Sequence, residues 1–199
     1  ILFPYARDGD DRQAHAAAIA LLHALLLVTG GAGTGKTTTI TRLLLLLIAQ
    51  ARAAGISLPR IALAAPTGRA AERMAESLRR AVATMADNGI DTAWLAALPA
   101  QASTLHRLLG TIPDSPRFRH NKDNPLPFDI VVVDEASMVD LPLMCKLAEA
   151  VADGAQLVLL GDADQLPSVE AGDVLAAILG AAGVGDALSA GDADALRPL

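Results

Sequence analysis

Hydrophobic positions along the chain fall into two patterns. Four short runs, Leu25–Thr29, Ile61–Ala65, Ile130–Val133 and Leu157–Leu160, are almost wholly apolar, and each is closed by a turn former or a polar residue. Runs of this length predict strands buried on both faces, the habit of parallel sheets. Longer stretches with helical character lie between them: Thr37–Ala54, Arg69–Met85 and Leu141–Ala152, with Asp11–Ala24 ahead of the first strand. Strand and helix in alternation predict an α/β fold, a mostly parallel sheet with helices on both faces. Ser168 is the expected N-cap of a last helix through Leu179, with Glu170 and Asp173 in its first turns.

Pro113, Pro116, Pro125 and Pro127 mark Gly110–Pro127 as a loop excursion over one end of the sheet rather than a domain boundary. Gly183–Leu199 is rich in Ala, Gly and Asp without period. The expectation is therefore one domain over residues 1–180 and a linker or truncated junction over 181–199. The absence of an initiator Met and the ending Arg197-Pro198-Leu199 leave open a piece of a longer protein and a shortened one.

Composition narrows the class. With 199 residues, 52% of them apolar, the chain can bury a real core and is not a disordered segment. Mean hydropathy is high at +0.39, yet a spanning helix needs about 20 consecutive apolar residues. Leu43–Ala49 is stopped by Arg42, Gln50 and Arg52, and Ala14–Val28 carries His15 and His23, so no membrane association is expected. The single Cys145 cannot form an internal disulfide, which suits a reducing, cytoplasmic setting.

The net charge of −6 conceals an uneven distribution. Residues 1–51 hold four Lys/Arg against three Asp/Glu, residues 52–122 ten against five, and residues 123–199 two against fourteen. The middle third is able to meet a polyanion; the last third is not. By charge alone, solvated helix faces account for the same numbers.

Gly30-Gly31-Ala32-Gly33-Thr34-Gly35-Lys36-Thr37 satisfies the phosphate-loop pattern G-x-x-x-x-G-K-[ST], after an apolar strand and before a helix. Such a loop turns backbone N–H groups toward phosphate oxygens, and the following helix adds the positive end of its dipole. The expected nucleotide contacts are Gly31, Ala32, Gly33, Thr34, Gly35, Lys36, Thr37 and Thr38. Lys36 would meet the β- and γ-phosphates, and the Thr37 hydroxyl would ligate Mg²⁺.

The run Ile130–Val133 empties into Asp134 and Glu135, which places two carboxylates at the sheet's carboxyl edge, where ligands of open α/β folds bind. Asp134 is expected to hold Mg²⁺ through water and Glu135 to orient and deprotonate the attacking water; taken without the phosphate loop, the pair also reads as solvated acids capping a helix at Ala136. Leu157–Leu160 leads likewise into Gly161-Asp162-Ala163-Asp164-Gln165, where the Gln165 amide would contact a γ-phosphate or its water. A turn satisfied by Asp162 and Asp164 is the alternative. Pro66-Thr67-Gly68-Arg69 and Ser103-Thr104-Leu105-His106 set hydroxyls and cations at helix starts, which suits nucleic-acid phosphates. Thr67 and Thr104 serve equally well as N-caps, and His106 as an ordinary packed imidazole.

In this order and spacing, the segments GGAGTGKTTTITRLL, APTGRAAERM, STLHRLLG, VVVDEASMVDLPLM and GDADQLPSVEAGDVL resemble motifs I, Ia, Ib, II and III of superfamily 1 helicases, and more closely those of the RecD family. The resemblance covers residues 11 to 180, and Arg119–Asp129 looks like the exodeoxyribonuclease V alpha form. It implies a RecA-like P-loop domain of an ATP-driven motor moving 5′-to-3′ on single-stranded DNA. It further implies RecB-like and RecC-like partners and action on double-stranded DNA ends. ATP and Mg²⁺ are the implied cofactors. Gln13 would read adenine, and Lys36, Asp134, Glu135 and Gln165 would carry catalysis. Pro66, Thr67, Gly68, Arg69, Thr104 and His106 would face DNA. Nothing after Gly180 resembles motifs IV, V or VI, so the chain reads as a first motor domain without the second that supplies an arginine finger. A stand-alone RecD-type helicase, a non-hydrolysing nucleotide-binding module and a P-loop ATPase acting on a protein remain the alternatives.

Overall fold

The computed structural model describes residues 19–31, 35–162, 174–182 and 191. Five parallel strands form one sheet: β1 (Leu25–Thr29), β2 (Ile61–Ala65), β3 (Ser103–Thr104), β4 (Ile130–Val133) and β5 (Gln156–Gly161), in the spatial order β1-β5-β4-β2-β3. The helices are α1 (Lys36–Ala53), α2 (Gly68–Asp87), α3 (Thr92–Leu95), α4 (Leu105–Leu109), α5 (Leu141–Ala150) and α6 (Val174–Ala182). The expected α/β class, with a parallel sheet, is what forms.

The apolar strand runs follow from two cores. Alternate residues of a strand face opposite sides. Leu26, Leu63, Val132, Val158 and Leu160 pack against Ile40, Leu44, Ile48, Met74 and Leu78 of α1 and α2. Their neighbours Ala62, Ala64, Val131, Val133, Leu157 and Leu159 belong to a second core with α4, α5 and α6, through Leu105, Leu109, Leu147 and Leu175. Strands covered on both sides have no polar face, hence the unbroken runs. Among the described residues no helix is long and apolar enough to cross a membrane.

Several boundaries differ from expectation. The helix ahead of β1 was expected through Ala24, but helical backbone at Ala20 gives way to turn at Leu21 and Leu22. The Gln156 amide donates to the carbonyls of Ala20 and, at 2.9 Å, of His23, which satisfies helix-end acceptors from β5. The helix expected through Ala152 ends at Ala150, where Val151 is extended and the Ala150 carbonyl instead accepts the Leu126 N–H at 2.7 Å. β3 and α3 have no counterpart among the expected elements. Ser168, Glu170 and Asp173 lie outside the described residues, and the helix there, described from Val174, passes Leu179 to end at Ala182.

Candidate functional site

Because all five strands are parallel, their carboxyl ends share one edge, and the sequence motifs meet there. β1 passes into Gly30, whose N–H donates to the Gly161 carbonyl of β5 at 3.3 Å. Ala32, Gly33 and Thr34 lie outside the described residues. Gly35 then starts α1 as a left-handed N-cap, φ 83° and ψ 16°, a backbone open to glycine and strained for other residues. Lys36 Nζ donates to the Gly31 carbonyl at 2.9 Å and also to that of Gly30. Thr37 and Thr38 follow, half-buried, in the first turn. The Thr37 carbonyl accepts the Thr41 hydroxyl at 2.7 Å, and among the described residues the Thr37 hydroxyl has no partner.

Register brings the acidic pair beside β2. Ala64 pairs with Val133, and the Asp134 N–H donates to the Ala64 carbonyl at 2.9 Å, one residue beyond the ladder. The Asp134 carboxylate accepts the Glu135 N–H at 2.8 Å. Burial pushes the Asp134 carboxyl above the usual carboxylate range, while that N–H and the Lys36 ammonium pull the other way. Glu135 is left-handed, φ 53° and ψ 40°. Non-glycine residues seldom adopt this region, and those that do cluster at functional sites.

No group of three or more His, Cys, Asp or Glu able to hold a metal occurs among the described residues. The Asp134 carboxylate and the Thr37 hydroxyl are hard oxygen donors, the kind Mg²⁺ takes one or two of from a protein while phosphate and water fill its octahedron.

The second set of motifs lies one and two strands further along. Thr67 caps α2, its hydroxyl accepting the Ala70 N–H, and Thr104 caps α4 by accepting the Arg107 N–H, both at 3.2 Å. Their N-cap role and a phosphate contact are compatible, because each hydroxyl keeps its own hydrogen to donate. Thr67, Gly68 and Arg69 are exposed and Pro66 is half-buried. Gly68 and Thr104 line a common groove of about 350 Å³ with Arg79 and Arg107. His106 is exposed, its ring edge-to-face with Phe118 at 5.7 Å. Gln13 and Gln165 lie outside the described residues.

Two groups of residues escaped the sequence reading. Arg73 of α2 meets Glu135 across 4.0 Å; its signal was the four-residue step from Arg69, which puts both on one helix face. Ser77, Arg80 and Thr84, at helical spacing, line a cavity of about 460 Å³ with Gly35, Lys36 and Thr37. A larger cavity, about 650 Å³, opens at the opposite edge beside Ile130 and Gln156, away from every motif.

Residues 13–171 match the AAA domain family, a span that contains the phosphate loop, the acidic pair and both capped helices. The chain belongs to that family. Over 88% of its length this AAA domain is 55% identical to the RecBCD enzyme subunit RecD of Mycobacterium tuberculosis, and it spans 29% of that protein. It is 41% identical to the ATP-dependent RecD2 DNA helicase of Deinococcus radiodurans, over 80% of this chain and 18% of the relative. The likeness to RecD read from the five motifs thus holds along most of the AAA domain. A solved structure of Pif1 helicases at forked double-stranded DNA is similar with a TM-score of 0.49 and 22% identity, covering 86% of this chain and 37% of that one.

Proposed function

We propose that this AAA domain, over residues 1–180, is the first RecA-like motor domain of a RecD-type 5′-to-3′ DNA helicase, with 181–199 leading toward a second. The observation that carries the proposal is the sharing of one sheet edge. The phosphate loop follows β1, Asp134 and Glu135 follow β4, and the Thr67- and Thr104-capped helices follow β2 and β3. Lys36 binds the β- and γ-phosphates of ATP, and Thr37 and Asp134 hold Mg²⁺, which neutralises charge on the transferred phosphoryl group. Glu135 accepts the proton of the attacking water. Gln13 and Gln165 keep their adenine- and γ-phosphate-reading roles within this proposal. Pro66, Thr67, Gly68, Arg69, Thr104 and His106 face single-stranded DNA.

The 55% identity to the RecBCD enzyme subunit RecD of Mycobacterium tuberculosis, against 41% to RecD2, is the ground for reading a RecBCD-type assembly with RecB-like and RecC-like subunits, acting on double-stranded DNA ends, over a stand-alone RecD-type helicase; a cytoplasmic setting goes with that reading. The 199-residue chain alone should hydrolyse ATP negligibly, since an arginine finger is worth roughly 10³ to 10⁵ in rate.

ATP turnover by the full-length protein, with and without single-stranded DNA, tests the reading. Lys36→Ala should abolish turnover, and Glu135→Gln should keep nucleotide binding while hydrolysis falls sharply. DNA binding should weaken steeply as salt rises. Turnover that ignores DNA, or survives Glu135→Gln, would remove the helicase reading.

A further inference from the structure

Ser137 carries a buried hydroxyl to which the proposed function gives no task. It lies in the 3₁₀ turn Ala136–Met138 that follows Glu135. The residue is 8% exposed, and among the described residues its Oγ is the one buried side-chain polar atom without a hydrogen-bond partner. The other buried hydroxyls, on Thr39 and Thr41, donate back along α1 to the carbonyls of Gly35 at 3.2 Å and Thr37 at 2.7 Å. Ser137 has no such carbonyl behind it, because one helical turn back the chain is still β4, at Val133. An unpaired buried hydroxyl destabilises a fold, and buried polar groups are nearly always paired. Such an orphan beside a reaction site is accounted for when its partner arrives in another arrangement of the protein.

The main-chain nitrogen of Ser137 lies 3.5 Å from where a Cβ on Gly161 would stand, so the turn rests against the last residue of β5. α6 packs on the same turn. Successive residues of a strand point their N–H and C=O alternately toward the two flanking strands, and β5 lies between β1 and β4. The Gly161 carbonyl is turned to the β1 side, where it accepts the Gly30 N–H. The same alternation turns the Asp162 carbonyl to the β4 side, toward Ser137. A carbonyl oxygen accepts two hydrogen bonds, so other contacts of Asp162 do not bar this one.

We infer that Ser137 is a positioning residue whose hydroxyl donates to the Asp162 carbonyl when ATP is bound, tying the turn that carries Glu135 to the chain leaving β5. The inference rests on the reading of that chain as the part that meets the γ-phosphate through Gln165. A γ-phosphate that draws the chain inward favours the bonded arrangement, and ADP, which lacks that phosphate, does not. A ligand shifts such an equilibrium only by its differential affinity for the two arrangements. The Ser137 bond therefore appears as preference for ATP over ADP, by a factor of roughly two to ten for one net hydrogen bond.

The test is equilibrium binding of MgAMP-PNP, a non-hydrolysable ATP analogue, and of MgADP to the full-length protein, with thermal melts run alongside. Ser137→Ala should weaken MgAMP-PNP binding roughly two- to tenfold and leave MgADP binding unchanged. Without added nucleotide it should melt at or above the wild-type temperature, because an unpaired buried group has been removed. Ser137→Cys keeps the side-chain volume but only a weak donor, so it should follow Ser137→Ala; a Cys variant that binds like wild type would make Ser137 a space filler and overturn the inference. A hydroxyl that serves the fold alone, through a buried water for example, lowers the melting temperature without moving the ratio of the two affinities. An unchanged ratio overturns the inference, whether binding is unaltered or falls equally for both nucleotides. Gln165→Ala, measured in the same way, separates the failures. If it too leaves the ratio unchanged, the reading of the chain after β5 falls; if it lowers the ratio while Ser137→Ala does not, only the role of Ser137 falls.

Discussion

The N–H of Gly30 donates to the carbonyl of Gly161 at 3.3 Å, tying the entry of the phosphate loop to the end of β5. On its other side Gly161 leaves no room: a Cβ there would overlap Cδ2 of Leu175, a buried residue of α6. Gly161→Ala should therefore destabilise the domain by about 1–3 kcal/mol, the usual cost of overfilling a packed core. In a Leu175→Ala background the same change should cost much less. A urea-unfolding double-mutant cycle measures that coupling, and additive effects would contradict the packing described.

Two glycines at helix starts should respond oppositely to the same substitution. Gly35 has φ 83°, so Gly35→Ala forces a side chain into left-handed backbone at a cost of about 1–2 kcal/mol and displaces the amides expected to meet phosphate. Gly68 opens α2 with nothing near its missing Cβ and no positive φ. Gly68→Ala should stabilise by about 0.4–1 kcal/mol through the unfolded chain. Thermal melts give the two signs, and ATP titration should report weaker binding for Gly35→Ala alone.

What the sequence made legible depended on how local the cause was. β4 could be read from Ile130–Val133 because both cores demand apolar residues, whereas the acidic pair alone also reads as solvated acids capping a helix at Ala136 and takes its meaning from the phosphate loop elsewhere in the chain. β3 could not be read: Ser103 and Thr104 are extended because they pair with Ala64 and Ala65, not because of their own pattern. The helix end at Ala20 is set by Gln156, far away in the chain. Arg73 and Glu135 meet only once β2 and β4 are known to be neighbours. The raised Asp134 carboxyl likewise comes from burial, which no spacing encodes.

At the amino edge, Arg60 and Asp129 lock the starts of β2 and β4. The Arg60 guanidinium donates to both Asp129 oxygens, at 3.1 and 3.0 Å, and the Arg60 backbone N–H donates to Asp129 Oδ2 at 2.7 Å. These bonds hold the Asp129 carboxyl below its usual range. An acid depressed in the folded state adds stability above its unfolded value and loses it as pH falls through the folded one. Asp129→Asn should lower the melting temperature slightly at pH 7, and the difference from wild type should close as pH drops below about 4. The pair is exposed and screened, so added salt should narrow the gap as well.

Asp134 has the opposite sign. Burial raises its carboxyl despite the Glu135 N–H and the Lys36 ammonium, so the folded state binds that proton more tightly than the unfolded chain does. Its ionised form therefore costs stability at neutral pH, and the cost is relieved as pH falls. Asn keeps an oxygen to accept the Glu135 N–H and removes the desolvated charge. Asp134→Asn should melt at or above the wild-type temperature at pH 7 to 8. In the full-length protein, the same change should cut MgATP hydrolysis by about 10²-fold or more, the scale of losing one preorganised charge at a phosphoryl-transfer site. Gain of stability with loss of turnover is the signature of a group kept for chemistry at the expense of the fold. A melting temperature several degrees below wild type would instead make Asp134 a structural acid, held by Lys36 and the Glu135 amide.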